Sequence, residues 1–394
     1  MKYIKREQFI WNFLKGNEIP TFFKNVSLNS TIFNNPTNSS NQVENLPLVI
    51  NLSLFPTFLE YKFLNEESYS TIKINNTNLS GAGIHIQPNQ SLENYINKTL
   101  STQSRKNLKK YKNRLESSFN IKYEYIYGEI SDIKYHFLMA ALFEMLTKRF
   151  DEKNMESVFL INWEVYTKNL FHLINNKKAS LFVIYDNEKP ISISLNYHIK
   201  SKILFSECGA FNIDYNKFGL GHIDNYILLK WCIDNQYVYL DLGNGVSDYK
   251  KKWCNSIYEF QYLIFYKKNS NISKLIIIPE LIKVKTKNFL KKIGVDVYIK
   301  KLKRFWNNSN NIHTINTKTY SVEVLPISEL TNYPKLIEIT VDLNLYSFLN
   351  KPIYDFLYSN IEHIDNICVY KLENKPQEYL IKGKNAVSIL KFIN

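Results

Sequence analysis

The chain has 394 residues, too many for one ordinary hydrophobic core, so two or three domains are expected. Hydrophobic residues at 45% and charged residues at 22% exclude a disordered chain and point to a soluble globular protein. The net charge of +14 suits an anionic ligand, a nucleic acid or an acidic membrane surface, but Lys, Asn, Ile and Tyr are raised together, as an A+T-rich coding sequence raises them in any protein.

Cys208, Cys232, Cys254 and Cys368 show no C-x-x-C or C-x-x-H spacing, so neither a zinc site nor a disulfide framework is expected, and a reducing, cytoplasmic setting is the simplest reading. The opening MKYIKREQFIWNFLKGNEIP is interrupted by charges and lacks the apolar core of a signal peptide. KLIIIPELIKV is the nearest approach to a membrane span, and it stops well short of the roughly 20 apolar residues required.

In chain order, residues 29–46 are polar and turn-rich and read as a loop. Strands are expected at 47–52, 70–75 and 83–87. A helical pattern runs from Leu92 to Ser117, where Leu92, Tyr95, Ile96, Leu100, Leu108, Tyr111 and Leu115 recur at three- and four-residue spacing. YEYIYGEI at 123–130 reads as a connecting strand. A helix opens at Ser131-Asp132 and carries Phe137, Leu138, Ala141, Leu142, Met145 and Leu146 on one face; NWEVYTKNLFHLINNKK reads as another. LFVIYDNEKPISISLNYHIKSKILFSECGAF holds three strands joined by tight turns at residues 187–189 and 200–202, most simply antiparallel.

The stretch from Ile203 to Trp253 is the richest in chemistry: a strand ILFSECGAF, the turn NKFGLG, a helix, a strand YVYLDLG, and then NGVSDYKKKWC. Closely spaced glycines between a strand and a helix let backbone N–H groups converge on a phosphate at the helix N-terminus. A last strand is expected at 257–268. Residues 281–306 then mix Lys and Arg with Leu281, Ile282, Phe289, Leu290, Ile293 and Trp306, and Gly294 is expected to divide them into two short helices. Residues 314–394 read as a small α+β appendage, and no repeat of fixed period is present.

This order of elements, with NKFGLG at a strand–helix junction, resembles the GNAT acetyltransferase superfamily. More narrowly, QSRKNLKKYKNRLE at 103–116, YDNEKPISISLNY at 185–197 and LDLGNGVSDYKKKW at 240–253 resemble the CelD/BcsL-type acyltransferases, a group associated with exopolysaccharide and cell-envelope biosynthesis and related to the FemAB peptidoglycan transferases. The resemblance covers about residues 90–268. It implies a mixed α/β (α+β) fold with a central mixed sheet flanked by helices, in a tandem FemAB-like arrangement. The division it suggests is a degenerate GNAT-like domain at 1–130, a GNAT-like acyltransferase domain at 131–270, a basic helical connector at 271–313 and a C-terminal domain at 314–394.

The resemblance also implies a set of site residues. Asn216, Lys217, Gly219, Leu220, Gly221 and His222 would seat the diphosphate of acetyl-CoA or another acyl-CoA, used as a cosubstrate with no permanently bound cofactor and no metal. The family's loop usually opens with Gln or Arg where Asn216 stands. In such chemistry an acceptor amine attacks a thioester carbonyl, which asks for a base, an N–H to polarise the carbonyl and an acid for the leaving thiolate. Glu207 or Asp241 would be the base and Tyr249 the acid; a splayed strand at Phe205–Ala210, near Cys208-Gly209, would supply the N–H. The structural alternatives are that Glu207 faces solvent, Asp241 caps the next turn and Tyr249 packs beneath a short helix.

Arg105 and Lys109, on a basic helix with Lys106, Lys110, Lys112 and Arg114, and Lys250 and Lys252 would hold a phosphorylated acceptor or donor, or else form solvated faces. Trp253 reads as a core anchor, and the cysteines lack the His partners of a nucleophile. The leading expectation is an acyl-CoA-dependent N-acyltransferase acting on an amine of an envelope sugar or peptide precursor. A FemAB-like transferase using aminoacyl-tRNA is one rival; a non-catalytic module binding a partner or, through residues 281–306, the inner face of an anionic membrane is the other.

Overall fold

The computed structural model describes residues 3–36, 46–153, 155–295, 299, 319–325, 336–340, 344–373 and 375–393. Strands β1 (Ile4–Gln8), β2 (Phe23–Leu28), β3 (Thr31–Asn34), β4 (Val49–Pro56), β5 (Glu60–Phe63) and β6 (Tyr69–His85) precede helices α1 (Leu92–Thr99) and α2 (Thr102–Ser118). Strand β7 (Ile121–Ile126), helix α3 (Asp132–Glu152) and short helices α4 (Val158–Ile161), α5 (Trp163–Thr167) and α6 (Leu170–Asn175) lead to β8 (Ala179–Asp186), β9 (Lys189–Ile199) and β10 (Ile203–Phe211). Then come α7 (Leu220–Asp234), β11 (Tyr239–Asn244), α8 (Asp248–Trp253), β12 (Ser256–Lys267) and α9 (Asn271–Lys292). The C-terminal part holds β13 (Thr319–Leu325), β14 (Leu336–Glu338), α10 (Asn350–Asn360), β15 (Cys368–Leu372), β16 (Lys375–Lys382) and β17 (Val387–Ile393).

The large sheet runs β1-β4-β12-β6-β11-β10-β9-β8-β7; two smaller ones run β13-β17-β16-β15-β14 and β3-β2-β5. β1 is parallel to β4 and β10 to β11, while β12 is antiparallel to both β4 and β6, and β11 to β6. The fold is mixed α/β, with large sheets flanked by helices, as the element pattern leads one to expect.

The chain groups into two compact units. Met1–Thr99, Asn196–Glu207 and Lys230–Ile312 form the first; Leu100–Leu195, Cys208–Leu229 and His313–Asn394 form the second. In the first, β6 and β12 pair along most of their length, and α9 packs Ile277 and Val284 onto Val49, Tyr262 and Ile264. In the second, α3 begins where Ser131 accepts a hydrogen bond from the Lys134 N–H, and it buries Tyr135, Leu138, Met139, Leu142, Met145 and Leu146 along one stripe. Helix α10 of this unit lies against the 3₁₀ turn Ile213–Phe218, where the Tyr354 ring is tilted against Tyr215 at 4.5 Å and Tyr358 meets Phe218 edge-on at 5.2 Å.

Several local expectations are corrected. The strands foreseen at 70–75 and 83–87 are one strand, β6, which absorbs an irregularity opposite Glu259–Gln261 instead of ending. The helical pattern from Leu92 breaks before Ser101, whose side chain caps α2. NWEVYTKNLFHLINNKK yields the short helices α5 and α6. Residues 29–46 are not all loop: Asn29, at φ 49°, turns β2 back into β3, with Leu28 opposite Thr31. Residues 37–45 lie outside the described set. The basic stretch begins inside α9, a single helix from Asn271 that runs through Pro279; Gly294, at φ 78°, stands just past its end, and a second helix there would lie mainly outside the described residues.

Candidate functional site

In the first unit, Asp241 is fully buried near the end of β11. The β10–β11 ladder ends at Phe205–Asp241, and the β11–β6 register slips between Asp241 and Asn244, so the strand leaves its neighbours just past the carboxylate. Gly243, at φ 76°, makes that departure and donates its N–H to Asp241 Oδ1 at 2.8 Å. Tyr258 Oη donates to the same carboxylate at 2.8 and 3.0 Å. Tyr258 lies across β6 because residue 81 is glycine: a Cβ there would overlap its ring, and one on Gly83 would overlap the ring of Tyr239. Burial pushes the Asp241 carboxyl up to about 6; the Gly243, Tyr258 and Lys250 contacts oppose the rise, and the charge of Glu207 adds to it.

Glu207 belongs to the same unit. It is paired with Lys15, the last residue of a π-helical turn, at 2.8 Å, and the two side chains are only 12% and 10% exposed. Its Oε1 takes the lysine, whereas the buried Oε2 has no hydrogen-bond partner among the described residues. Burial raises this carboxyl too, with Lys15 opposing. Glu207 thus does not face solvent. Asp241 does cap the turn after it, and is buried as well. Lys250 Nζ donates to the carbonyls of Gly243 and Asn244 at 3.3 and 2.7 Å, and its burial lowers the lysine's proton affinity. Ser247 caps α8 by accepting from the Lys250 N–H; Tyr249 is half-buried in the same helix, and Lys252 is exposed. Trp253 is buried, and its carbonyl accepts from Tyr95 Oη at 2.6 Å, as befits a core anchor.

In the second unit the glycine turn differs from the open cradle expected of it. Residues 213–218 form a 3₁₀ turn, and Gly219 serves as its left-handed cap at φ 62°. The N–H of Gly219 bonds Asn216 O, and those of His222 and Ile223 bond Gly219 O. The Tyr111 ring covers Gly219 so closely that a Cβ would overlap it, and it stacks on His222 at 5.9 Å. Leu220 is buried, Gly221 and His222 are half-buried, and Asn216 and Lys217 are exposed. Lys217 pairs with Asp355 of α10 at 3.3 Å. The expectation that amides 217–222 converge on one ligand is therefore corrected for Gly219 and His222, whose N–H groups are spent on the turn itself.

The basic helix α2 is divided. Arg105 wraps back to the Leu100 carbonyl at 2.7 Å; Arg114 donates to the Tyr358 carbonyl, and both it and Lys110 sit over the Tyr358 ring at 5.3 Å. Lys106 and Lys109 are exposed. Cys208 and Gly209 lie within β10, where the Gly209 carbonyl accepts from Arg149 at 2.8 Å. All four cysteines are free, and the described residues hold no cluster of His, Cys, Asp or Glu able to bind a metal.

Sequence reasoning missed Lys15, Tyr258 and Asp224. On α7, Asp224 accepts from Ser194 Oγ at 3.1 Å, and burial pushes its carboxyl up to about 7. Only the Gly81-Ala-Gly83 alternation inside a strand hinted at any of them, since such glycines mark a close approach to the backbone.

Residues 102–251 match the family model of an acetyltransferase (GNAT) domain. That segment contains the glycine turn, Glu207, Asp224 and Asp241. No curated protein matches the chain significantly. Similar solved structures include FemX (12% identity, TM-score 0.40, 61% of this chain and 77% of that one) and the L-PGS of Bacillus licheniformis (13%, 0.34, 59% and 73%). The C-terminal domain of a putative lysylphosphatidylglycerol synthetase from Agrobacterium fabrum is another (9%, 0.36, 59% and 72%).

Proposed function

We propose that the chain is an N-acyltransferase that moves an acyl group from acyl-CoA to an amine on a cell-envelope or exopolysaccharide precursor. The observation that carries this reading is the pair of carboxylates in the segment matching the acetyltransferase domain: Asp241 is fully buried, and Glu207 is only 12% exposed and has an unpartnered oxygen among the described residues. Glu207 Oε2 accepts an N–H of the acceptor, which satisfies an oxygen that has no donor among the described residues. Lys15 holds the other oxygen and fixes the carboxylate's direction. The amine nitrogen bonds to the thioester carbon, and the proton it sheds passes to Asp241, whose raised pKa makes it an effective base near neutral pH. The C–S bond breaks, and the departing thiolate takes a proton from Tyr249. Lys250, fixed by two carbonyls, supplies positive charge near the acceptor.

Isothermal titration with acetyl-CoA and longer acyl-CoAs tests the donor, and binding with a defined stoichiometry is expected. Absence of heat with every one of them removes the acyl-CoA reading.

The engaged amides around Gly219 favour a second reading, in which the donor is an aminoacyl-tRNA that seats no diphosphate there. The exposed Lys106 and Lys109 of α2 would then meet RNA phosphates, and affinity would fall steeply with salt as counterions are released. A gel shift with total tRNA at low salt, run beside heparin as a polyanion control, tests it; an unshifted tRNA band, or a shift that heparin abolishes at equal charge, ends this alternative.

A further inference from the structure

Helix α9 is apolar on two opposite sides. Its inner side is fixed by packing and by buried polar groups. Ile277 and Val284 enter the core of the first unit; Ser273 Oγ donates to the Lys267 carbonyl at 2.5 Å, and Asn288 Nδ2 to the Asn75 carbonyl at 2.7 Å. Glu280 is buried, pairs with Arg6 and accepts from Asn51 Nδ2 at 2.9 Å. These bonds set the rotation of the helix about its axis. Turning it would strand three buried polar side chains, so the outward side is determined.

That outward side carries Ile272, Leu275, Ile278, Ile282, Phe289 and Leu290, each between 41% and 69% exposed. At 100° per residue they fall within about 120° of arc, centred opposite the buried stripe. Exposed lysines border the arc on both edges: Lys274, Lys285 and Lys292 on one, Lys283 and Lys287 on the other. The only acid of α9 is Glu280, which is turned inward and neutralised by Arg6. An apolar band of this length is costly to leave in water, and lysine borders are disfavoured in most protein–protein contacts. Lysines whose stems run beside an apolar stripe while their ammonium groups reach outward match a surface that is apolar below and anionic above.

We infer that α9 is an interfacial helix that lays its outer face on an anionic lipid bilayer, with the apolar stripe in the acyl boundary and the two lysine rows among the headgroups. Among the described residues no helix is long and apolar enough to cross a membrane; a helix lying in the interface binds reversibly, with a strength set by its apolar area and by anionic lipid. This bilayer contact is independent of the proposed transfer reaction. It deepens the membrane expectation attached to residues 281–306 by moving the contact upstream, where half of the stripe lies.

The test is co-sedimentation of the full chain with vesicles of phosphatidylcholine alone and of phosphatidylcholine mixed with phosphatidylglycerol. Binding to the anionic vesicles only, weakening as salt is raised, is expected. The triple variant Leu275→Asn, Ile282→Asn, Phe289→Asn changes exposed side chains, so it should keep the wild-type circular dichroism while its partition coefficient drops more than tenfold. The pair Lys283→Gln and Lys287→Gln should weaken binding about fivefold per lysine, equivalent to roughly 1 kcal/mol each. Failure of the wild type to bind either vesicle overturns the inference. So do equal binding to neutral vesicles and unchanged binding of the triple variant. A wild-type dimer that the triple variant converts to monomer overturns it too, since the stripe would then be a protein interface.

Discussion

Burying the Asp241 carboxyl costs the fold stability at neutral pH. Its native pKa of about 6 lies above the 3.8 of an ordinary aspartate, so between those values the native state binds the proton more tightly than the unfolded chain. Its contribution is therefore fully present below about pH 3.8 and is lost as pH rises through about 6, a difference on the order of 3 kcal/mol. Asp241→Asn removes that dependence while keeping an oxygen for Tyr258 and Gly243. Urea titrations should show a variant whose stability is flatter between roughly pH 4 and 6 and at least equal to wild type at pH 7.5. Acyl transfer should fall by two orders of magnitude or more, in line with the roughly 10²–10⁴-fold contribution of general bases. In the wild type, kcat/KM should rise with pH through an apparent pKa near 6, a value that belongs jointly to Asp241 and Glu207 because their charges interact. A variant with wild-type turnover would remove Asp241 from the chemistry. Gly81→Ala tests its support: the new methyl displaces the Tyr258 ring, so a loss of about 1–3 kcal/mol in thermal or urea unfolding is expected. Transfer should fall with it, as Asp241 loses its oriented hydroxyl.

Elements built from neighbouring residues were legible in the sequence, and contacts between remote ones were not. The Ser131 cap and the stripe behind it announced α3, and the turns at 187–189 and 200–202 announced β8 to β10, because cap, stripe and turn are local physics. The position of the glycine turn between a strand and a helix is legible in the sequence, yet its state depends on Tyr111 of α2 and on α10, which no local pattern reveals. Glu207 stands out in the sequence, but its partner Lys15 lies 192 residues before it. The contact between α10 and the turn yields its own prediction. The Lys217–Asp355 pair is largely exposed on the lysine side, so Asp355→Asn should change stability by less than about 1 kcal/mol. If Lys217 takes part in holding a phosphate, freeing it from Asp355 should tighten acyl-CoA binding several-fold by calorimetry, and Lys217→Ala should weaken it. Identical affinities in both variants would leave the lysine as a structural tie alone.

At the scale of the whole molecule, the charge of +14 gives every polyanion some affinity for this protein, so donor binding has to be separated from general electrostatic attraction. Linkage offers the means. A ligand that binds only the folded state raises the unfolding free energy with the logarithm of its concentration, by about 2.7 kcal/mol at one hundred times its Kd. Two compact units need not unfold together, so the quantity to monitor is the shift of each transition, not a single Tm. Acetyl-CoA should raise at least one transition along that logarithmic curve and keep most of the effect when salt is added, because a seated adenine and pantetheine contribute contacts that salt does not screen. ATP, of similar charge, should give a smaller shift that disappears as ionic strength rises. Equal shifts from the two nucleotides, both abolished by salt, would mean that the chain recognises charge alone. The aminoacyl-tRNA donor would then be the better explanation of the matched domain.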